Sequence, residues 1–187
     1  MSNLVIIFPG IGYTAEKPLL YYGLRIAKEE NFDECIKLSY KSKIKGDFRN
    51  DNKVRKKIYK DFYKQTIESL SEVKWNEYEK VVFISKSIGT VIAANYAFEN
   101  KLTNVKHVFY TPLNDSYKNP PKDGIAFIGT RDQFSNYEEI VDLSKNVNIP
   151  ISIFKNCNHS LECEDSIKNI EILNDIMKST KNYLKEK

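Results

Sequence analysis

Histidine and cysteine are both scarce in this 187-residue chain, and each scarcity narrows its chemistry. The three cysteines, Cys35, Cys157 and Cys163, are odd in number and show no CxxC spacing. That argues against a disulfide framework or a zinc site and suits reduced thiols in a cytoplasm. No stretch approaches 18 continuous apolar residues, so no membrane span is expected. The opening Met1-Ser2-Asn3 is followed by an apolar run of five residues without a basic region before it, unlike a signal peptide. A cytoplasmic protein without membrane partners is the expectation. Neither G-x-G-x-x-G nor G-K-[ST] is completed anywhere, which weakens a phosphate-loop reading. The excess of positive charge is small, 29 Lys and Arg against 25 Asp and Glu. It permits an acidic partner without demanding one, and no nucleic-acid partner is expected.

What the chain does contain is a series of short buried-looking segments. Residues 4–8, 81–84, 105–110, 125–128 and 149–154 are rich in Val, Ile and Phe, and most run continuously instead of alternating. This suits strands covered on both faces, as in a parallel sheet. A weaker sixth candidate is 35–40. Helical spacing fills the intervals at 18–30, 52–73, 88–99, 136–145 and 165–183. The segment 52–73 places Val54, Ile58, Phe62, Ile67 and Leu70 on one side. The last segment is read with Ile167, Ile170, Leu173 and Met177 as its buried stripe. Strands alternating with helices predict an α/β fold, a three-layer α/β/α sandwich on a mostly parallel sheet of about six strands. With no repeat, linker or composition break, residues 1–187 read as one domain.

The chemistry concentrates in Ser85-Lys86-Ser87-Ile88-Gly89, where an apolar strand meets a helix rich in small residues. A sharp turn there exposes Ser87 and requires small neighbours two positions away, which Ser85 and Gly89 provide. The segment resembles the nucleophile elbow G-x-S-x-G of α/β-hydrolases, with Ser85 in place of the first glycine. Further along come Gly129-Thr130-Arg131-Asp132 after one strand, and Asn156-Cys157-Asn158-His159 after the last. Their order matches the Ser, Asp, His order of that superfamily. The resemblance implies a catalytic triad of Ser87, Asp132 and His159. It also implies an oxyanion hole from the backbone N–H groups of Ile88 and of Ile11, in Pro9-Gly10-Ile11-Gly12-Tyr13. The chain is similar to small serine esterases and dienelactone-hydrolase-like members, without the first two strands and the cap of larger relatives. The activity implied is hydrolysis of carboxylic esters, thioesters or lactones through an acyl-enzyme, with no cofactor and no metal.

Each of these residues has a plainer reading. Ser87 is also a good helix N-cap, His159 a solvated loop histidine, and Asp132 a turn former. Asp115 is a rival acid one strand earlier, His107 reads as structural, and Cys157 as non-catalytic. The fold also serves acyltransferases and non-catalytic binding proteins. The substrate expected is a small ester-like molecule. Gly10, Gly12, Tyr13, Lys41, Lys43 and Lys45 are the candidate substrate-binding residues. Those lysines open a basic segment that continues through Arg49, Lys53, Arg55, Lys56, Lys57 and Lys60, and they suggest an anionic ester. A merely solvated charged face is the alternative.

Overall fold

A computed structural model describes residues 2–48 and 51–185, so Arg49 of the basic segment lies outside the described residues. The elements are β1 (Ser2–Phe8), α1 (Pro18–Glu29), β2 (Glu34–Lys37), α2 (Asn52–Ser69), β3 (Tyr78–Lys86), α3 (Ile88–Glu99), β4 (Val105–Tyr110), β5 (Asp123–Gly129), α4 (Tyr137–Asn146), β6 (Ile151–Phe154) and α5 (Ser166–Lys185). The six strands pair in parallel in the order β2-β1-β3-β4-β5-β6. The chain steps outward from β1 to β2, then returns to lay β3 on the other side of β1. Adjacent strands whose connections diverge in this way open a crevice at their carboxyl ends. Both β1 and β3 end there.

Two faces of the sheet are covered, which explains the continuous apolar runs. Val5 and Ile7 of β1, with Val82 and Ile84 of β3, pack under α1 and α5. Their alternates Leu4, Ile6, Phe8, Val81 and Phe83 pack under α2 and α3. Beneath α4, Phe109, Ala126 and Ile128 form a third cluster with Ile140 and Val141. The three-layer α/β/α sandwich is therefore the observed architecture, with every strand parallel.

Helix starts follow local chemistry. Pro18 opens α1 at a position where its missing N–H costs nothing. Asp51 caps α2 by accepting from the N–H groups of Lys53 and Val54, and Asn136 caps α4 by accepting from Glu138 and Glu139. The interior of α3 is apolar on all sides because the helix is buried.

Three details differ from the sequence reading. Strand β2 ends at Lys37, after which Leu38 alone continues the pairing through its N–H to Ile7. Helix α2 stops at Ser69, and its inward face carries Thr66 in place of Ile67, which points outward. The stripe on α5 is mis-phased: Ile167 and Ile170 are 69% and 64% exposed. Its buried face is Ile172, Ile176, Met177, Thr180, Tyr183 and Leu184. Thr180 bonds the Tyr110 hydroxyl, and the Tyr183 hydroxyl donates to Asp123. These anchors are polar, so an apolar periodicity passes over them.

Candidate active site

Strand β3 delivers Ser87 into the crevice on a strained turn. Its backbone lies at φ 56° and ψ −125°, a left-handed conformation that costs a non-glycine residue about 1–3 kcal/mol. Packing holds it there. The Ser87 N–H donates to the carbonyl of Tyr110 on β4, and its carbonyl accepts from the N–H of Thr90. A Cβ on Gly89 would stand 2.3 Å from the carbonyl oxygen of Phe8, so α3 approaches β1 this closely only because that residue is glycine. A Cβ on Gly10 would meet the Ser87 side chain at 3.2 Å. Ser85 is fully buried, and its hydroxyl donates to the carbonyl of Val108. Ser87 occupies the N-cap position of α3, yet its side chain caps nothing.

The loops after β5 and β6 are stitched together, which brings two distant residues to that serine. The Arg131 N–H donates to the carbonyl of Cys157, the Thr130 N–H to that of Phe154, and the Asn156 N–H to the Thr130 hydroxyl. Gly129 permits the contact, since a Cβ would fall 2.2 Å from the Cys157 carbonyl oxygen. Asp132 then accepts from His159 Nδ1 at 2.7 Å through one carboxylate oxygen and from the Phe134 N–H at 2.8 Å through the other. His159 Nε2 lies 2.8 Å from Ser87 Oγ. Because a carboxylate can only accept, Nδ1 carries the proton and Nε2 is free to accept from the serine hydroxyl. The Asp132 side chain is fully buried, and that of His159 is 12% exposed. Burial holds the imidazole below its usual pKa, the charge of Lys86 adds to this, and the bond and charge of Asp132 oppose it. Neutral His159 is therefore the resting form at neutral pH.

A cavity of about 770 Å³ opens in front of these residues, lined in part by Ile11, Tyr13, Ser87, Ile88, Phe134 and His159. The N–H of Ile88, at the start of α3, and that of Ile11 donate to no other described residue. Gly12 also lines the cavity, whereas Gly10 serves packing beneath Ser87. Lys41, Lys43 and Lys45 do not line it, which corrects their expected position. The backbone of Lys41 is bound in both directions by the Gln65 side chain, which ties that segment to the C-terminal part of α2. The basic lining comes from Lys17, Arg55, Lys56, Lys86 and Lys118. Asp115 is exposed and paired with Lys118 at 2.8 Å, so it is not the partner of His159. Among the described residues no cluster of His, Cys, Asp or Glu could hold a metal ion, and no helix is long and apolar enough to cross a membrane.

Two contributors escape the sequence reading. Phe134 packs against the imidazole with ring centroids 4.6 Å apart; its position two residues after Asp132 is the available signal. Lys86, beside the nucleophile, reads only as part of the turn, although an inward-facing lysine at the end of a buried strand is unusual.

No family model and no curated protein sequence matches the chain. Solved structures do. An α/β serine hydrolase homologue from Coxiella burnetii superposes with a TM-score of 0.63 at 13% identity, covering 95% of this chain and 84% of that one. A lidless α/β serine hydrolase from Xanthomonas campestris gives 0.61 at 11% identity, over 99% and 84% of the two chains. The chain has the α/β-hydrolase fold. A Bacillus cereus carboxylesterase shares it, with a TM-score of 0.58 at 16% identity over 97% and 87%. Within this hydrolase fold, β4 and β5 are joined by residues 111–122, whose only regular element is the 3-10 turn Asn114–Tyr117. That connection carries no helical lid, and the cavity stays open.

Proposed function

We propose that the protein is a serine hydrolase of carboxylic esters or closely related acyl compounds. The observation that carries this reading is the hydrogen-bonded series from Asp132 through His159 to Ser87, ending on a serine held at positive φ. A serine placed there for stability alone would gain nothing from that strain. Ser87 Oγ attacks the substrate carbonyl carbon while its proton passes to His159 Nε2, and Asp132 stabilises the resulting imidazolium. The N–H groups of Ile11 and Ile88 receive the oxyanion; a single such donor is worth about 100- to 1,000-fold in rate. Collapse of the tetrahedral adduct expels the leaving group, which takes the proton from Nε2. Water then attacks the acyl-serine, giving its proton to His159, and release of the acid restores Ser87. Cys157 has no part in this: it is buried, and burial raises its thiol pKa. The reading is tested by reaction with a fluorophosphonate, which labels Ser87 if the serine is activated, and then by assays on esters, thioesters and lactones. An unlabelled Ser87 would favour a binding protein that retains the fold.

A further inference from the structure

Among the described residues, Lys86 is the one buried cation at the active cavity. Its side chain is fully packed, with 1% of the residue exposed, yet it lines the same cavity as Ser87 and His159. It forms no ion pair and no side-chain hydrogen bond with any described residue. Its ammonium lies 4.9 Å from the centroid of the Tyr13 ring, and the Tyr13 hydroxyl is occupied by the N–H of Leu19. A cation over an aromatic face recovers about 0.5–2 kcal/mol, well short of the several kcal/mol lost on burial. The charged and titratable groups around it are few. Tyr13 comes from the loop after β1, with Lys17 at 6.0 Å on the same ring; Asp132 comes from the loop after β5; His159 and Glu162 come from the loop after β6. Asp132 is already committed to His159 and the Phe134 N–H, and Glu162 is solvent-exposed.

We propose that Lys86 is the anion-binding group of this cavity, and that the substrates turned over at Ser87 carry a carboxylate a few bonds from the scissile carbonyl. This rests on the hydrolase reading and narrows its substrate class. A carboxylate entering the cavity supplies the hydrogen-bonding partner that Lys86 lacks. Around it the lining adds Lys17, Arg55, Lys56 and Lys118 against only Asp115 and Glu139, so the field at the mouth also favours an anion. Burial brings the Lys86 ammonium down to about 7, opposed by Asp132 and then Glu162. Its charge is therefore present at lower pH and lost as pH rises through neutrality. His159 must instead be neutral to act as base. The two requirements overlap in a window for an anionic ester, whereas a neutral ester needs only the second.

The test uses the whole wild-type chain and two matched probes, the 4-nitrophenyl half-ester of glutaric acid and its neutral methyl ester. The ratio of their kcat/KM values is measured against pH at low and high salt. The charged probe should be preferred near about pH 6, with the preference falling about tenfold or more by about pH 9, as expected when a charge-assisted bond is lost. A buried contact should persist at high salt, whereas rim lysines are screened. Lys86→Met should abolish the pH dependence of the ratio. If that variant does not fold, protection of wild-type Ser87 from fluorophosphonate by glutarate, present at low pH and absent at high pH, carries the same information. A ratio independent of pH, or one erased by salt, overturns the role of Lys86 while labelling of Ser87 still upholds the hydrolase. Absence of labelling overturns both.

Discussion

Replacing Asp132 by Asn alters a single atom, and the hydrogen bonds around it determine the effect on the histidine. One carboxylate oxygen accepts from the Phe134 N–H at 2.8 Å and the other from His159 Nδ1 at 2.7 Å. An asparagine offers only one acceptor. If its oxygen stays on Phe134, its NH2 faces Nδ1, which must then accept. The imidazole proton moves to Nε2 and points at Ser87 Oγ, so the base cannot take the serine proton. If the amide flips, its NH2 opposes the Phe134 N–H, which loses its bond at a cost of about 1–3 kcal/mol. The first arrangement is therefore favoured, and the inactive tautomer dominates. The negative charge that stabilises the imidazolium is also gone. Together these should lower kcat by about 10,000-fold, a rise of about 5.5 kcal/mol in the barrier. The assay is kcat for a 4-nitrophenyl ester at neutral pH, with circular dichroism to confirm that the variant is folded. Asp115→Asn, which removes only a surface pair with Lys118, should stay near wild type. A loss under about tenfold in Asp132→Asn, or an equal loss in Asp115→Asn, would refute the assigned orientation of His159.

Two further substitutions probe the frame around the site. Gly89→Ala drives a methyl group into the Phe8 carbonyl, a backbone atom that cannot turn aside. It should cost about 3 kcal/mol or more by urea unfolding, and a change under about 1 kcal/mol would contradict the tight α3–β1 approach. His107 is fully buried between Phe83 and Phe109, with Nδ1 unpartnered, and burial brings its pKa down to about 3. The unfolded chain, whose histidine titrates near about 6.5, binds the extra proton between these values, so stability falls as pH drops below about 6.5. His107→Phe removes that proton uptake. Relative to wild type it should gain about 2–3 kcal/mol between pH 7 and about pH 4.5, measured as the difference in urea unfolding free energy at the two values. An unchanged difference would show that His107 takes up its proton in the folded state.

The strands are legible in the sequence because both sheet faces are buried: β1 and β3 can only read as continuous apolar runs. Ser87, Asp132 and His159 are legible because each stands just beyond a strand, where a local motif marks the turn. The stitching of residues 129–132 to 154–157 is not, since it consists of backbone bonds between segments separated in sequence. The face of α5 is misread because Thr180 and Tyr183 anchor it through hydroxyls. The basic wall is misplaced for a related reason. Charge density along the chain does not reveal that Gln65 ties Lys41 to α2, whereas the first turns of that helix bring Arg55 and Lys56 to the cavity. Lys86 stays hidden because a lysine closing a strand beside the nucleophile reads as the start of the turn, although in the structure it is the buried last residue of β3.

The central claim is that Ser87 is a nucleophile activated by His159, and the rate at which a fluorophosphonate labels the protein tests it most directly. Labelling should be confined to Ser87, vanish in Ser87→Ala and track the neutral fraction of His159. Because burial and Lys86 hold that imidazole below its usual range, the rate should already be near its plateau at neutral pH and decline only in moderately acid solution. Labelling at another serine, or at Ser87 with a rate indifferent to His159→Ala, would contradict it.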